Sequence, residues 1–144
     1  MPNPNNNDKK EEKPFTPADN IVQTRHTVTI AGQPLNYTAT TGTIVLKEES
    51  EKNEKAEGEK AKASIFFVAY TKDDGADVGQ RPITFAFNGG PGSSSVWLHL
   101  GLLGPRRVHL DDTTRLPPPY KLVENEHSLL DVTDLVFIDP VSTG

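Results

Sequence analysis

The chain has 144 residues, the length of one domain, and folding at that size removes roughly 68–70% of the unfolded surface from water. A net charge of −5 gives no electrostatic footprint for nucleic acid or an anionic membrane, and the lack of cysteine excludes disulfide scaffolds, thiolate metal sites and a thiol nucleophile. The apolar fraction of 34% is lowered by two polar stretches, residues 1–20 and 47–62. Among the other 108 positions half are apolar or glycine, as in an ordinary globular domain.

Residues 1–20 read as a disordered polar tail of Asn, Lys, Glu and Pro, with no apolar core of a secretory signal. The compartment is therefore unassigned: cytoplasmic by default, secreted or periplasmic if a leader is missing. The folded domain is expected over residues 21–144. Period-two alternation through His26, Thr27, Val28, Thr29 and Ile30, turn signals at 32–34, and a Thr-, Tyr-, Ile- and Val-rich stretch at 35–46 predict a hairpin. Residues 47–62 hold five Lys and six Glu with no apolar stripe, which predicts a charged surface insert, a solvated loop or frayed helix. Strand character resumes at 63–70 and again at 83–87.

A glycine-rich junction follows: Asn88-Gly89-Gly90-Pro91-Gly92-Ser93-Ser94-Ser95. Residues 96–103 then predict one or two helical turns capped by one of the three serines. Arg115 and the prolines that follow it predict an extended loop, and residues 129–134 a short helix. Leu135-Val136-Phe137-Ile138, bounded by aspartates, predicts a strand buried on both faces, as in a parallel sheet. Antiparallel hairpins first and parallel-type strands later make an α/β layout.

The junction leaves a strand and enters a helix, at the carboxyl end of a sheet, where ligands bind in open α/β folds. Glycines there let main-chain amides approach a ligand and turn toward one point. A tight turn with a serine cap explains the composition equally well. A nucleotide loop does not, since neither the Walker spacing nor G-x-G-x-x-G is met. The functional reading left is an oxyanion hole.

Phe87-Asn88-Gly89-Gly90-Pro91-Gly92-Ser93-Ser94-Ser95, then Gly104-Pro105-Arg106, then Asp134-Leu135-Val136-Phe137-Ile138-Asp139-Pro140-Val141-Ser142-Thr143-Gly144, resembles the amino-terminal third of the serine carboxypeptidase family. The resemblance implies the amino-terminal part of an α/β-hydrolase mixed sheet, incomplete in these residues. It implies that the backbone N–H of Gly90 is one oxyanion donor, and that Asn88 and the Gly89 amide hold the free carboxylate of a peptide's last residue. The family often has Cys where this chain has Ser93, so the similarity runs to the bacterial members. It usually has Glu two residues before the Gly-Pro corner, where this chain has Leu102. Arg106 or Arg107 could substitute for that Glu as a carboxylate ligand, or lie on the surface.

The nucleophile elbow G-x-S-x-G is not met around Ser94 or Ser142. The resemblance places the nucleophilic Ser beyond the Asp139-Pro140 block, with Asp and His later still, so these residues alone are expected to be inactive. His26, His99, His109 and His127 read as surface or loop residues; His99, behind the glycine loop, receives no role. Asp131, Asp134 and Asp139 do not converge on one face, so no metal is expected, nor any cofactor. Asn36-Tyr37-Thr38 matches a glycosylation acceptor without a supporting context, and Trp97 fits a pocket wall or the core. The expected activity is a serine-type carboxypeptidase acting through an acyl-enzyme on peptides with a free carboxyl terminus. The alternatives are an esterase or prolyl aminopeptidase-like hydrolase, and a non-catalytic interaction module or inactive fragment.

Overall fold

The computed structural model describes residues 17–52, 55–73, 75, 78–110 and 118–143. The polar tail over residues 1–16 and the proline-rich stretch through residue 117 lie outside them. Seven strands are described: β1 Asn20–Ile30, β2 Gln33–Lys52, β3 Lys55–Lys72, β4 Ile83–Ala86, β5 Arg106–Val108, β6 Leu122–Glu124 and β7 Asp134–Asp139. Five form one sheet in the order β1-β2-β3-β7-β4, and β5 and β6 form a separate ribbon. β1, β2, β3 and β7 pair antiparallel in succession, while β7 and β4 are parallel. This is the mixed sheet expected from the sequence, antiparallel strands first and a parallel pair after them.

β1 and β2 join through Ala31 and Gly32, both at positive φ (47° and 78°), the geometry of a two-residue hairpin turn that matches strand twist. The turn lies earlier than the 32–34 signal: Gln33 and Pro34 already belong to β2, opposite Ile30 and Thr29. Order also reaches into the expected tail. Asn20 opens β1, and the Asp19 carboxylate accepts the Val45 N–H at 2.8 Å where β1 no longer reaches. Gly42 stands opposite Ile21, and a Cβ there would collide with the Asn20 carbonyl oxygen, so the two backbones touch only because this residue is glycine.

Over its described residues, 47–52 and 55–62, the charged insert is strand and neither loop nor helix. It continues the β2–β3 ladder into a long ribbon with register shifts at Leu46/Lys47 and Glu49/Glu51. Lys47 pairs with Glu59 at 3.7 Å and Lys62 with Glu48 at 2.9 Å across the ribbon. Such exposed pairs are worth little singly. The backbone ladder started by the apolar sheet carries the charged residues along with it.

One sheet face makes the core: Val28, Ile30, Leu35, Tyr37, Tyr70, Ala86, Leu135 and Phe137, closed by Leu98, Leu103 and Leu130. β7 is fully buried on this face only, through Leu135 and Phe137, whereas Val136 and Ile138 on the other are half-buried. The predicted helix at 96–103 is one α-helical turn, α1 (Val96–Leu98), running into a π-helical turn over His99–Leu103. The Gly104 N–H reaches back five residues to the His99 carbonyl at 3.0 Å. The short helix expected at 129–134 is a 3-10 turn over Leu129–Asp131, and Asp134 belongs to β7.

Candidate active site

Because β4 and β7 run parallel, their carboxyl ends leave the sheet together. Ala86 is opposite Phe137, so the glycine loop after β4 and the turn after β7 emerge side by side. Gly90 and Gly92 have φ of 124° and 88°, values that favour glycine, so the sequence of the loop dictates its path. A Cβ built on Gly89 or Gly90 would meet nothing within 4 Å, and one on Gly92 would stand 3.7 Å from the Ser142 carbonyl oxygen. The loop therefore faces open space on one side and the post-β7 turn on the other.

Among the described residues, neither the Gly89 nor the Gly90 amide donates to a backbone or side-chain acceptor. Two adjacent unengaged main-chain donors in an open bend can receive an anion. The Asn88 Oδ1 is shut away from solvent and accepts no hydrogen bond. As an acceptor it cannot bind a carboxylate, so any such contact falls to the amide nitrogen of Asn88.

The far end of the loop is tied down. Ser95, almost fully buried, donates to Asp139 Oδ1 through its N–H at 2.7 Å and its hydroxyl at 2.8 Å. Its side chain thus spans to β7 and does not cap α1. The Ser95 carbonyl accepts the His99 N–H at 2.9 Å. His99 is not a surface residue: its ring stacks on Phe137 with centroids 4.5 Å apart, and Nε2 lies 2.6 Å from the Tyr70 hydroxyl. Burial lowers the His99 pKa, with the Asp139 charge acting in the opposite direction.

The other expected residues are placed plainly. Trp97 is 72% exposed and so lies outside the core, and Leu102 is 59% exposed. Arg106 stands across from Glu124, 3.9 Å away, and beside the Tyr37 hydroxyl, so its guanidinium is engaged there. Asp134 holds Arg81 at 3.0 Å and is remote in role from Asp139; no acidic or imidazole cluster able to hold a metal occurs among the described residues. Asn36 lies in β2 with its Oδ1 accepting from the Thr27 hydroxyl. A cleft of about 630 Å3 opens among Arg25, His26, Asn36, Thr71 and Asp73. Tyr70 is opposite Leu135, near the start of β7, so this cleft lies at the amino end of the parallel pair and not beside the glycine loop.

The model of the serine carboxypeptidase family matches residues 48–144. The chain belongs to that family. Over 80 residues it is 40% identical to the pheromone-processing carboxypeptidase KEX1 of Saccharomyces cerevisiae, a match covering 55% of this chain and 10% of that protein. The same enzyme from strain JAY291 gives the same figures. The crystal structure of Kex1(delta)p, a prohormone-processing carboxypeptidase from Saccharomyces cerevisiae, superposes with a TM-score of 0.54 at 33% identity, over 74% of this chain and 20% of that one. The chain thus spans about a tenth of the length of these curated relatives. Its mixed sheet is the partial α/β-hydrolase sheet of the family, and the family is one of serine peptidases. These relatives are yeast proteins, and they lend no support to the bacterial affinity read from Ser93.

The sequence missed Asp139 as a partner of Ser95, and it missed the Tyr70–His99 contact. Both lie inside the quoted motifs or behind the loop. The parallel β4–β7 pair brings Ser95 to Asp139, and the pairing of β3 with β7 brings Tyr70 toward His99.

Proposed function

We propose that this chain contributes the oxyanion-binding loop of a serine-type carboxypeptidase, which removes residues from peptide carboxyl ends through an acyl-enzyme. The observation that carries the reading is the unengaged Gly90 amide on an open bend at the carboxyl ends of a parallel strand pair. Attack on the scissile carbonyl places negative charge on its oxygen, and a preorganised N–H aimed at that charge is worth roughly 2.7–4 kcal/mol in the transition state. Asn88 and the Gly89 amide, next in line on the same bend, hold the free carboxylate of the substrate. The 144 residues contain no G-x-S-x-G elbow, so the nucleophile is not supplied by Ser93, Ser94 or Ser95.

In the enzyme that carries these residues, Gly90→Val is expected to lower kcat on the order of 100-fold or more. A β-branched residue resists a φ of 124°, so the bend and its amide are displaced, while the sheet keeps its fold because the strain falls on an exposed loop with open space around it. Unchanged turnover removes Gly90 from the oxyanion hole. In the same assay, peptides amidated at the carboxyl end should be poorer substrates than the free acids. Equal rates would favour a second reading, an esterase, which draws on Leu102: an exposed apolar side chain stands where the family's carboxylate-binding network usually has Glu.

A further inference from the structure

The glycine loop is fixed at both ends and free in between. Asn88 leaves β4, whose register with β7 is set by the parallel ladder. At the other end Ser95 presents both its N–H and its hydroxyl to one carboxylate oxygen of Asp139, the last residue of β7. Two residues back along β7, Phe137 supports the ring of His99, whose own N–H returns to the Ser95 carbonyl. β7 therefore grips the residue that closes the loop and the first residue of the π-helical turn behind it. Gly92, midway, runs past the Ser142 carbonyl in the turn that follows β7. Charge-assisted bonds from a carboxylate to a backbone N–H and a hydroxyl are short and directional, and these lie at a nearly buried serine.

We propose that Asp139 is a positioning residue that sets the direction of the Gly90 amide by anchoring Ser95. The inference rests on the oxyanion reading above for its effect on turnover, and on geometry alone for its effect on the loop. Asp139 touches no substrate in this scheme; it fixes the outgoing end of the bend on which the donors sit. A displacement of about 1 Å in such a group is enough to cost on the order of 100-fold in rate.

The test combines three variants, Asp139→Ala, Asp139→Asn and Ser95→Ala, with hydrogen exchange of the 88–95 segment and saturating turnover on a free-acid peptide, in the enzyme that carries these residues. Asp139→Ala should accelerate exchange locally, with the β2–β3 ribbon unchanged, and lower kcat on the order of 100-fold. Ser95→Ala, which loses one of the two bonds, should move both readings the same way by less. Asp139→Asn keeps an acceptor oxygen and should restore most of both. Unchanged exchange in Asp139→Ala overturns the proposal, as does loosening spread over the whole sheet or an Asn variant as impaired as the Ala variant. The two ideas fail separately: full turnover in Gly90→Val sinks the oxyanion reading, while the exchange data still decide the anchor.

Discussion

His99 shows what burial does to a single titratable group. Its imidazole lies flat on Phe137 and meets the Tyr70 hydroxyl at 2.6 Å. Removal from water lowers its pKa against the smaller opposing pull of Asp139, and pushes Tyr70 up to about 12. Both groups are therefore held neutral around pH 7. The unfolded chain takes up the imidazole proton near pH 6.5 and the folded chain resists it. The stability tied to His99 is thus full above that pH and is lost as pH falls from about 6.5 toward the lower folded-state value. Thermal melts should show a fall in Tm between about pH 7 and pH 5 that is smaller in His99→Phe, which keeps the ring stack without the proton. Equal pH slopes in the two proteins would rule His99 out as the group responsible. From the sequence His99 was visible only as a histidine behind a glycine loop. Its burial depends on β3 and β7, separated by more than sixty residues, pairing so that Tyr70 and Phe137 meet the same ring.

At the scale of elements, local chemistry decided some features and distant pairing the rest. The β1–β2 hairpin, β7 and the glycine-rich junction were legible because each follows from its own residues, alternation, an apolar run and a cluster of glycines, although the turn came earlier than its 32–34 signal and β7 is fully buried on one face and not on both. The charged ribbon was not legible, because an even mixture of Lys and Glu carries no period, and the ladder that extends it begins in other residues. The Gly104–Pro105 corner could be read, but what holds it could not. Gly104 is tied to His99 so closely that a Cβ would collide with the His99 carbonyl, and the carbonyls around the corner need donors. Asn125, nearly fully buried, supplies them from a loop twenty residues on: its amide nitrogen donates to the Leu102 carbonyl at 2.9 Å and the Gly104 carbonyl at 2.8 Å. Ser128 donates to the Leu103 carbonyl at 2.7 Å. Asn125→Ala strands two carbonyls, and a buried unpaired polar group costs about 1–3 kcal/mol. Urea unfolding should report a loss of at least that size for Asn125→Ala, and an unchanged midpoint would show that water serves the corner as well.

Taken as a whole, the sheet has two unlike faces. Strand alternation puts Ile83 and Phe85 of β4 on the face opposite Ala86, in line with Val136 on β7 and, through the antiparallel registers, with Phe67 on β3 and Ile44 on β2. No described element covers this side: Ile83 is 55% exposed, Phe85 57% and Ile44 41%. β4 also forms one edge of the sheet, with its outer backbone groups unpaired by any described strand. An apolar face beside an open edge is a template for association. The family resemblance implied a sheet incomplete in these residues, and an incomplete sheet has an open edge. The sequence could not foretell which face stays bare, since the α1 and π-helical turns pack on the other side through Leu98 and Leu103. The 144 residues prepared by themselves should therefore self-associate with rising concentration, and Phe85→Lys should reduce it by placing a charge on the bare face at its open edge. Sedimentation of the two proteins across a concentration series measures this. A monomer at all concentrations in the unsubstituted chain would mean that the exposed face and edge are protected by residues outside those described.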